Sequence, residues 1–464
     1  MKKFITSFAA LLMCISATAQ KEEIKFLPPS GFHYDSSEME NAVIYEANIR
    51  QYSPEGTFNA FTKDIPKLKS LGVKIIWLMP IHEVGMKNRK AYGNVSIEQI
   101  PENEKAKYYG SHYAVKDYRS VTPNYGTKAD FDKLVKTAHE NGIYVILDWV
   151  PNHTAWDHAW VTEHNDYYTR DKKGNMVSPF DWTDVADLNY DNPNMRKAML
   201  EDMKYWIEKH NIDGYRCDVA MEVPRDFWDN TAKELNKIKP VFMLMEAEQP
   251  DLMQDAFDMQ YGWTVHHIFN KIYKGENTVK DFDAYMQKVL TSNEKDDVYM
   301  VFTSNHDENS WNGTEYERLG NAVEVFAALS FTMPGMPLIY NGQEYDLNKR
   351  LKFFEKDQFD HTEGKMMSIY KKLGRLKRDN IALNGGKNAA SYKRIPTAND
   401  DKILAFEREK DGKKVIFIAN LSNQTIETKI QLKGDFTEYM SGNKIQFRTD
   451  APIGLQAWQY LILE

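Results

Sequence analysis

The sequence has little cysteine: Cys14 and Cys217 are the only two in 464 residues. A disulfide framework is thereby excluded. It also lacks an excess of basic charge. Lys and Arg total 59 against 67 Asp and Glu, for a net charge of -8. A nucleic-acid partner needs the opposite balance, because phosphates must be neutralised. Low-complexity stretches and repeats of fixed period are missing. Beyond Gln20 no apolar run is long enough to cross a membrane. What is plentiful is aromatic residues, 13% of the chain, within a hydrophobic share of 42%. That composition belongs to a folded globular protein. At roughly 150 residues per domain, the length suits one large domain with one or two small ones.

Lys2 and Lys3 precede an apolar stretch over residues 4–15 and then Ala17-Thr18-Ala19. A short basic region, a hydrophobic run and an A-x-A site make a secretory signal over residues 1–19. The expectation is an exported protein, periplasmic or extracellular, that begins at Gln20. Two other readings use the same residues. One is an N-terminal membrane anchor, for which the apolar run is short. The other is a lipid anchor at Cys14, where Met13 is bulkier than a lipoprotein signal favours.

From residue 43 the chain alternates short apolar runs with helical patterns. Strands are expected at 43–46, 73–79, 144–147, 214–219, 241–245, 299–303 and 338–340. Between them, Phe58, Phe61, Ile65 and Leu68 recur at helical spacing, as do Phe131, Leu134, Val135 and Ala138, and again Met195, Met199, Met203 and Trp206. Strands that are apolar on both faces and separated by helices imply a parallel sheet. About eight such units fit a (β/α)₈ TIM barrel with insertions, placed at residues 20–382. Residues 154–192 show little periodicity, are rich in Asp, Asn and Trp, and read as an inserted loop subdomain. After residue 383 the pattern turns to strands, with Asp411-Gly412 as a hairpin turn between two apolar runs. A C-terminal all-β domain, a β-sandwich over 383–464, is expected.

In such a barrel the chemistry lies at the C-terminal ends of the strands. Acids stand at four of them. Asp148 follows the run 144–147. Arg216 and Asp218 lie two apart on one strand, hence on one face, with Cys217 on the other. Glu246 follows 241–245. His306 and Asp307 follow 299–303. A single aspartate at a strand end is commonly a helix cap, and an Arg-x-Asp pair can be a plain ion pair. Four acid-bearing strand ends are harder to explain that way, because charges are seldom buried without a role. A barrel mouth with several carboxylates, an arginine and histidines suits glycoside hydrolysis. That reaction needs one carboxylate to attack and one carboxylic acid to protonate the leaving oxygen.

Asp148-Trp149-Val150-Pro151-Asn152-His153, Gly214-Tyr215-Arg216-Cys217-Asp218, Glu246, and Asn305-His306-Asp307 resemble, in order, the four signature regions of the α-amylase family of glycoside hydrolases. Tyr45-Glu46, Trp77-Leu78-Met79-Pro80-Ile81, Asp187-Leu188-Asn189 and Tyr340-Asn341-Gly342-Gln343-Glu344 extend the likeness over about residues 42–345. The resemblance implies a retaining hydrolase of α-1,4-glucosidic bonds in starch-type glucans or maltooligosaccharides. In it Asp218 would be the nucleophile, Glu246 the acid and then base, and Asp307 the residue that binds sugar hydroxyls and supports the distorted ring. Arg216 would keep Asp218 ionised, since a nearby cation lowers a carboxylate pKa. Asp148, His153 and His306 would bind or orient the sugar, and Tyr113 would stack on it; core packing is the other reading of Tyr113. Glu246 is preferred to Glu248 because it directly follows the apolar strand.

The chemistry so implied needs no cofactor. A structural calcium is a possibility, with Asn152 and Asp187 similar to two of its ligands. One departure stands out: Met221 and Glu222 occupy positions where many family members carry Lys-His. An exo-acting α-glucosidase or a transglycosylase would share every catalytic residue. A non-catalytic glucan-binding relative would have lost one of the three carboxylates. The expected partner is an α-glucan or maltooligosaccharide, and the sequence does not specify an oligomeric state.

Overall fold

The computed structural model describes residues 34–93, 95–292 and 297–464. The expected signal and the alternative anchor at Cys14 lie outside the described residues. Eight parallel strands close into a barrel: β1 Val43–Ala47, β2 Val73–Leu78, β3 Tyr144–Trp149, β4 Gly214–Cys217, β5 Phe242–Met245, β6 Met259–Tyr261, β7 Val298–Val301 and β8 Met336–Tyr340. Neighbours in sequence are neighbours in the barrel, and β8 pairs with β1, Ile339 opposite Tyr45. The TIM-barrel expectation holds.

One strand is absent from the sequence reading. β6 has three residues, and no α-helix separates it from β5, only the turn Pro250–Leu252. Too short to show a periodic pattern, it is recognisable only by its pairing with β5 and β7. A second difference concerns the helix expected through Phe58 and Leu68. It forms as two pieces, Phe58–Thr62 and Ile65–Ser70. Pro66 has no N–H to donate to the preceding turn, so it can only stand at the start of a new helix.

Strand alternation sorts the side chains. Ile44, Ile75, Trp77, Tyr144, Ile146, Leu244, Met300 and Leu338 fill the barrel interior. Val43, Tyr45, Val145, Leu147, Tyr215 and Cys217 face outward onto the helices. Those helices include Lys128–Glu140, Pro193–His210, Arg225–Asn236 and Lys365–Asp379. The first has a reciprocal cap, Thr127 with Asp130, which satisfies N–H groups that the helix itself leaves open. Two glycines allow the last helix to close the ring. A Cβ on Gly374 would lie 1.9 Å from the Leu71 carbonyl oxygen, so only glycine admits that backbone contact.

Two long excursions leave the top of the barrel. After β2 the chain makes two short antiparallel ribbons, Glu83–Val84 with Val115–Asp117 and Lys90–Tyr92 with Val95–Ser96. After β3, His153–Ala155 pairs with Val185–Asp187 around the segment expected as an insertion. Beyond the barrel, β9 Ser391–Arg394, β10 Ile403–Lys410, β11 Lys413–Asn420 and β12 Tyr460–Leu463 form an antiparallel sheet. The expected hairpin at Asp411-Gly412 joins β10 to β11, with both residues at positive φ. One face of this sheet, with Ile403, Ala405, Ile416 and Ile418, builds a separate small core. The other, with Leu404, Phe406, Val415 and Phe417, merges with the barrel's core. Arg408 is fully buried there and donates to the carbonyls of Thr332, Asn384 and Ser391.

Candidate active site

The site grows from strand register. Arg216 on β4 stands opposite Asp148 on β3. Both continue the inward-facing rows of their strands, one step above the apolar interior. Asp218 and Glu246 then follow the ends of β4 and β5. Asp218 N–H donates to the Trp149 carbonyl, and Glu246 N–H donates to the Cys217 carbonyl, so both stay in register as the sheet ends.

Arg216 is the hub and is fully buried. Its Nη1 donates to Asp148 Oδ1 at 2.9 Å and to Asp218 Oδ1 at 2.8 Å, and its Nε donates to Tyr261 Oη at 3.1 Å. Nη2 lies 2.9 Å from Glu246 Oε2 as an ion pair, at an angle that makes no hydrogen bond. Glu246 Oε2 takes its hydrogen bond instead from the Val219 N–H at 2.8 Å. The side chains of Asp218 and Glu246 are 10% and 11% exposed.

Asp218 departs from expectation in one respect. Arg216 does pull its pKa down, but burial and the neighbouring Glu246 carboxylate outweigh the cation, so the net direction is up. Asp148 is likewise lifted by burial, to about 6, against the pull of Arg216 and His306. One guanidinium does not offset the burial and crowding of Asp148 and Asp218, so both stand above the ordinary carboxylate range.

The two histidines sit in opposite charge states. Burial works against the His306 imidazolium, but Asp307, Glu46 and the hydrogen bond to Glu46 overcome it and raise the ring to about 9. Its Nδ1 is 2.6 Å from Glu46 Oε1, and its Nε2 is 2.8 Å from Tyr113 Oη and 3.3 Å from Asp307 Oδ2. Tyr113 Oη in turn donates to Asp148 Oδ2 at 3.1 Å, beside the Trp77 indole N–H on the same oxygen. His153 has no such acids, and burial lowers it to about 4. It is therefore neutral at pH 7.

These residues line a cavity of about 370 Å³. Tyr113, His153, Asp218, Glu246, His306 and Asp307 all open onto it, with Lys90, Trp182, Asp184, Trp311 and Phe353. Asp148 and Arg216 lie just behind its wall, bonded to the residues that face it. Tyr113 is thus at the pocket rather than lost in the core, its ring parallel to Phe353 at 6.3 Å. Glu248 is elsewhere: it accepts from Thr264 N–H at 2.7 Å and from its hydroxyl at 2.9 Å, in the first turn of Trp263–Lys274. A larger hollow of about 880 Å³, near Tyr52, Tyr345 and His361, contains none of the candidate residues.

Sequence reasoning did not assign Glu46, Trp77 and Tyr261 to the site. Glu46 is a carboxylate ending an apolar strand, the same signal that marked Glu246. Tyr261 lay on the unrecognised strand. Trp182 and Phe353 come from loops, and Trp311 from the π-helical turn Glu308–Asn312, whose courses no local pattern specifies.

A closed barrel with acids gathered at the carboxyl ends of its strands defines the sugar-cleaving class of TIM-barrel proteins as the class to test. The family model for the α-amylase catalytic domain matches residues 27–384, and that for the α-amylase C-terminal all-β domain matches residues 396–457. The chain belongs to the α-amylase family. It is 25% identical over 421 residues to alpha-amylase MalA of Haloarcula japonica, covering 87% of this chain and spanning 58% of that protein. Among solved structures it resembles a noncanonic maltogenic alpha-amylase, AmyB, from Thermotoga neapolitana. That match has a TM-score of 0.81 and 27% identity, over 92% of this chain and 99% of that one. An alpha-amylase from Lactobacillus plantarum is similar at TM-score 0.80 and 28% identity, with the same coverage of 92% and 99%.

The charge on His306 yields a test. Its ring is held at about 9 against an ordinary 6.5, so folding favours the protonated form. That stabilisation is complete below pH 6.5 and disappears as pH rises through about 9. The Tm advantage of the wild type over His306→Gln should shrink across that interval in thermal melts at stepped pH. A difference that stays constant across it would show that the ring is not charged in the fold.

Proposed function

We infer that the chain is a retaining glycoside hydrolase that cleaves α-1,4-glucosidic bonds of starch-type glucans or maltooligosaccharides by double displacement. The observation that carries this reading is the convergence of Asp218, Glu246 and Asp307 on one cavity. Arg216 holds Asp218 Oδ1, which leaves Oδ2 to attack the anomeric carbon. Glu246 is the acid of the pair, and its Oε1, not engaged by the Val219 N–H, is the oxygen that presents the proton. As the glycosidic C–O bond breaks, that proton passes to the leaving oxygen. Water then attacks the glycosyl ester, Glu246 takes its proton, and Asp218 is released. Two inversions at one carbon leave the α-anomer. Asp307 accepts hydrogen bonds from sugar hydroxyls, and the charged His306 and neutral His153, both lining the cavity, bind the same ring.

Glu246→Gln removes the transferable proton and should reduce kcat on maltooligosaccharides by about 10²–10⁴-fold, the range for a lost general acid. Wild-type product should emerge as the α-anomer by proton NMR. Full activity in the variant, or β-anomer as the first product, would refute the assignment. The same digests distinguish the exo-acting and transglycosylase readings: glucose alone marks exo action, and products longer than the substrate mark transfer.

The calcium ion implied by the family would find oxygen donors at Asn152 and Asp187, adjacent across the ribbon that pairs His153 with Asp187. Burial, and then the carboxylate of Glu222, push Asp187 up, and a cation would relieve this. No group of three or more His, Cys, Asp or Glu gathers for a metal among the described residues. The remaining ligands would therefore be carbonyl and amide oxygens, which suit a hard cation. Chelation should then lower Tm; an unchanged melt would remove the site.

Export follows from the signal-like residues 1–19. No helix among the described residues is long and apolar enough to cross a membrane. Protein recovered from the producing cell's periplasm or medium should begin at Gln20 on N-terminal sequencing, and one that retains Met1 would overturn the export reading.

A further inference from the structure

The cavity that holds the three carboxylates is walled in part by the two excursions from the barrel top. The first, after β2, contributes Lys90 and Gly93; the second, after β3, contributes Trp182, Asp184 and Val185. Lys90 and Asp184 are only 8% and 6% exposed, and the ammonium lies 3.6 Å from Asp184 Oδ1. That separation allows Coulomb attraction but is too long for a hydrogen bond. Taking a lysine and an aspartate out of water is expensive, and only close geometry with further hydrogen bonds recovers the cost. As a structural tie, the pair is badly made.

It is well made as a ligand site. Lys90 has three N–H donors and Asp184 a carboxylate with spare lone pairs, side by side at the wall of a cavity. A donor next to an acceptor at this spacing matches two adjacent hydroxyls of a sugar ring, one accepting and one donating. Among the described residues that line the cavity, Lys90 is the only lysine or arginine. The lining also includes an aromatic cluster, with Trp311 against Phe353 at 5.1 Å and Phe353 parallel to Tyr113. A cavity of about 370 Å³ is near the lower end for ligand sites, so it encloses a short stretch of glucan.

We propose that Lys90 and Asp184 together bind the adjacent hydroxyls of a glucose unit next to the one being cleaved, and thereby set the chain length this enzyme prefers. This rests on the glycoside hydrolase reading. Neither side chain touches the reacting atoms; the pair determines specificity.

The test compares wild type with the double variant Lys90→Met/Asp184→Asn, which leaves no unpaired charge behind in the wall, and with each single variant. kcat and KM are measured on a maltooligosaccharide ladder and on an aryl α-glucoside that has one sugar, with Tm recorded for each protein. The double variant should lose about tenfold to hundredfold in kcat/KM on the ladder, the range for a lost hydrogen bond to a charged group. KM should carry the loss, product sizes should shift, and the aryl glucoside should suffer less. An unchanged KM and product pattern would overturn the proposal. So would an equal fall in kcat on both substrates, which marks a merely structural pair. Wild type that cleaves neither substrate would instead overturn the hydrolase reading on which the proposal stands.

Discussion

The structure turns on one buried guanidinium. Arg216 holds Asp148 and Asp218 by hydrogen bonds and Glu246 by charge, with no exposure to solvent. Several carboxylates could not be placed at the mouth of an apolar barrel without it, because isolated charges there would cost far more than the fold can supply. One cation against three acids is still an incomplete balance. Burial and mutual repulsion therefore hold Asp148 and Asp218 above the ordinary carboxylate range despite the cation.

A second chain of contacts passes from Glu46 through His306 and Tyr113 to Asp148. It links β1 with the excursion after β2, the loop after β7 and the top of β3. His306, Tyr113 and Asp148 each have more than one partner, so the side chains of this chain that face the cavity are held before a ligand arrives. Such preorganised polarity is worth more in a dry pocket than in water. The two histidines show how neighbours decide chemistry. His306 has two acids beside it and is a cation; His153 has none and is neutral.

The barrel supplies the rigid part of this arrangement and the loops supply the variable part. Inward rows such as Tyr144, Ile146 and Asp148 are apolar below and acidic at the top, so one register sets both core and site. The cavity walls come from excursions after β2 and β3 and from segments after β7 and β8, which reach the pocket from separate directions. Chemistry is thus tied to strands, while the shape offered to a substrate is tied to loops.

Much of this was legible in the chain itself. Seven of the barrel strands announce themselves as apolar runs, and the acids at their ends are read directly, because burial on both faces of a parallel sheet demands such runs. The spacing of Arg216 and Asp218 already placed them on one face. Met259–Tyr261 was illegible, since three residues carry no period and their strand exists only through its neighbours. The choice between Glu246 and Glu248 lay just outside local reach: both follow the same strand, and only the tertiary fold turns Glu248 to cap a helix. The net direction of the Asp218 pKa is not legible locally, because Arg216 lies only two residues away along the chain, whereas Glu246 and the burial are supplied by distant segments. Local pattern and spacing determined the barrel and the identity of its acids. Which charges meet, what each outweighs, and which lysine enters the pocket were decided by tertiary structure, because Coulomb and desolvation energies depend on distances through space that the order of residues does not contain.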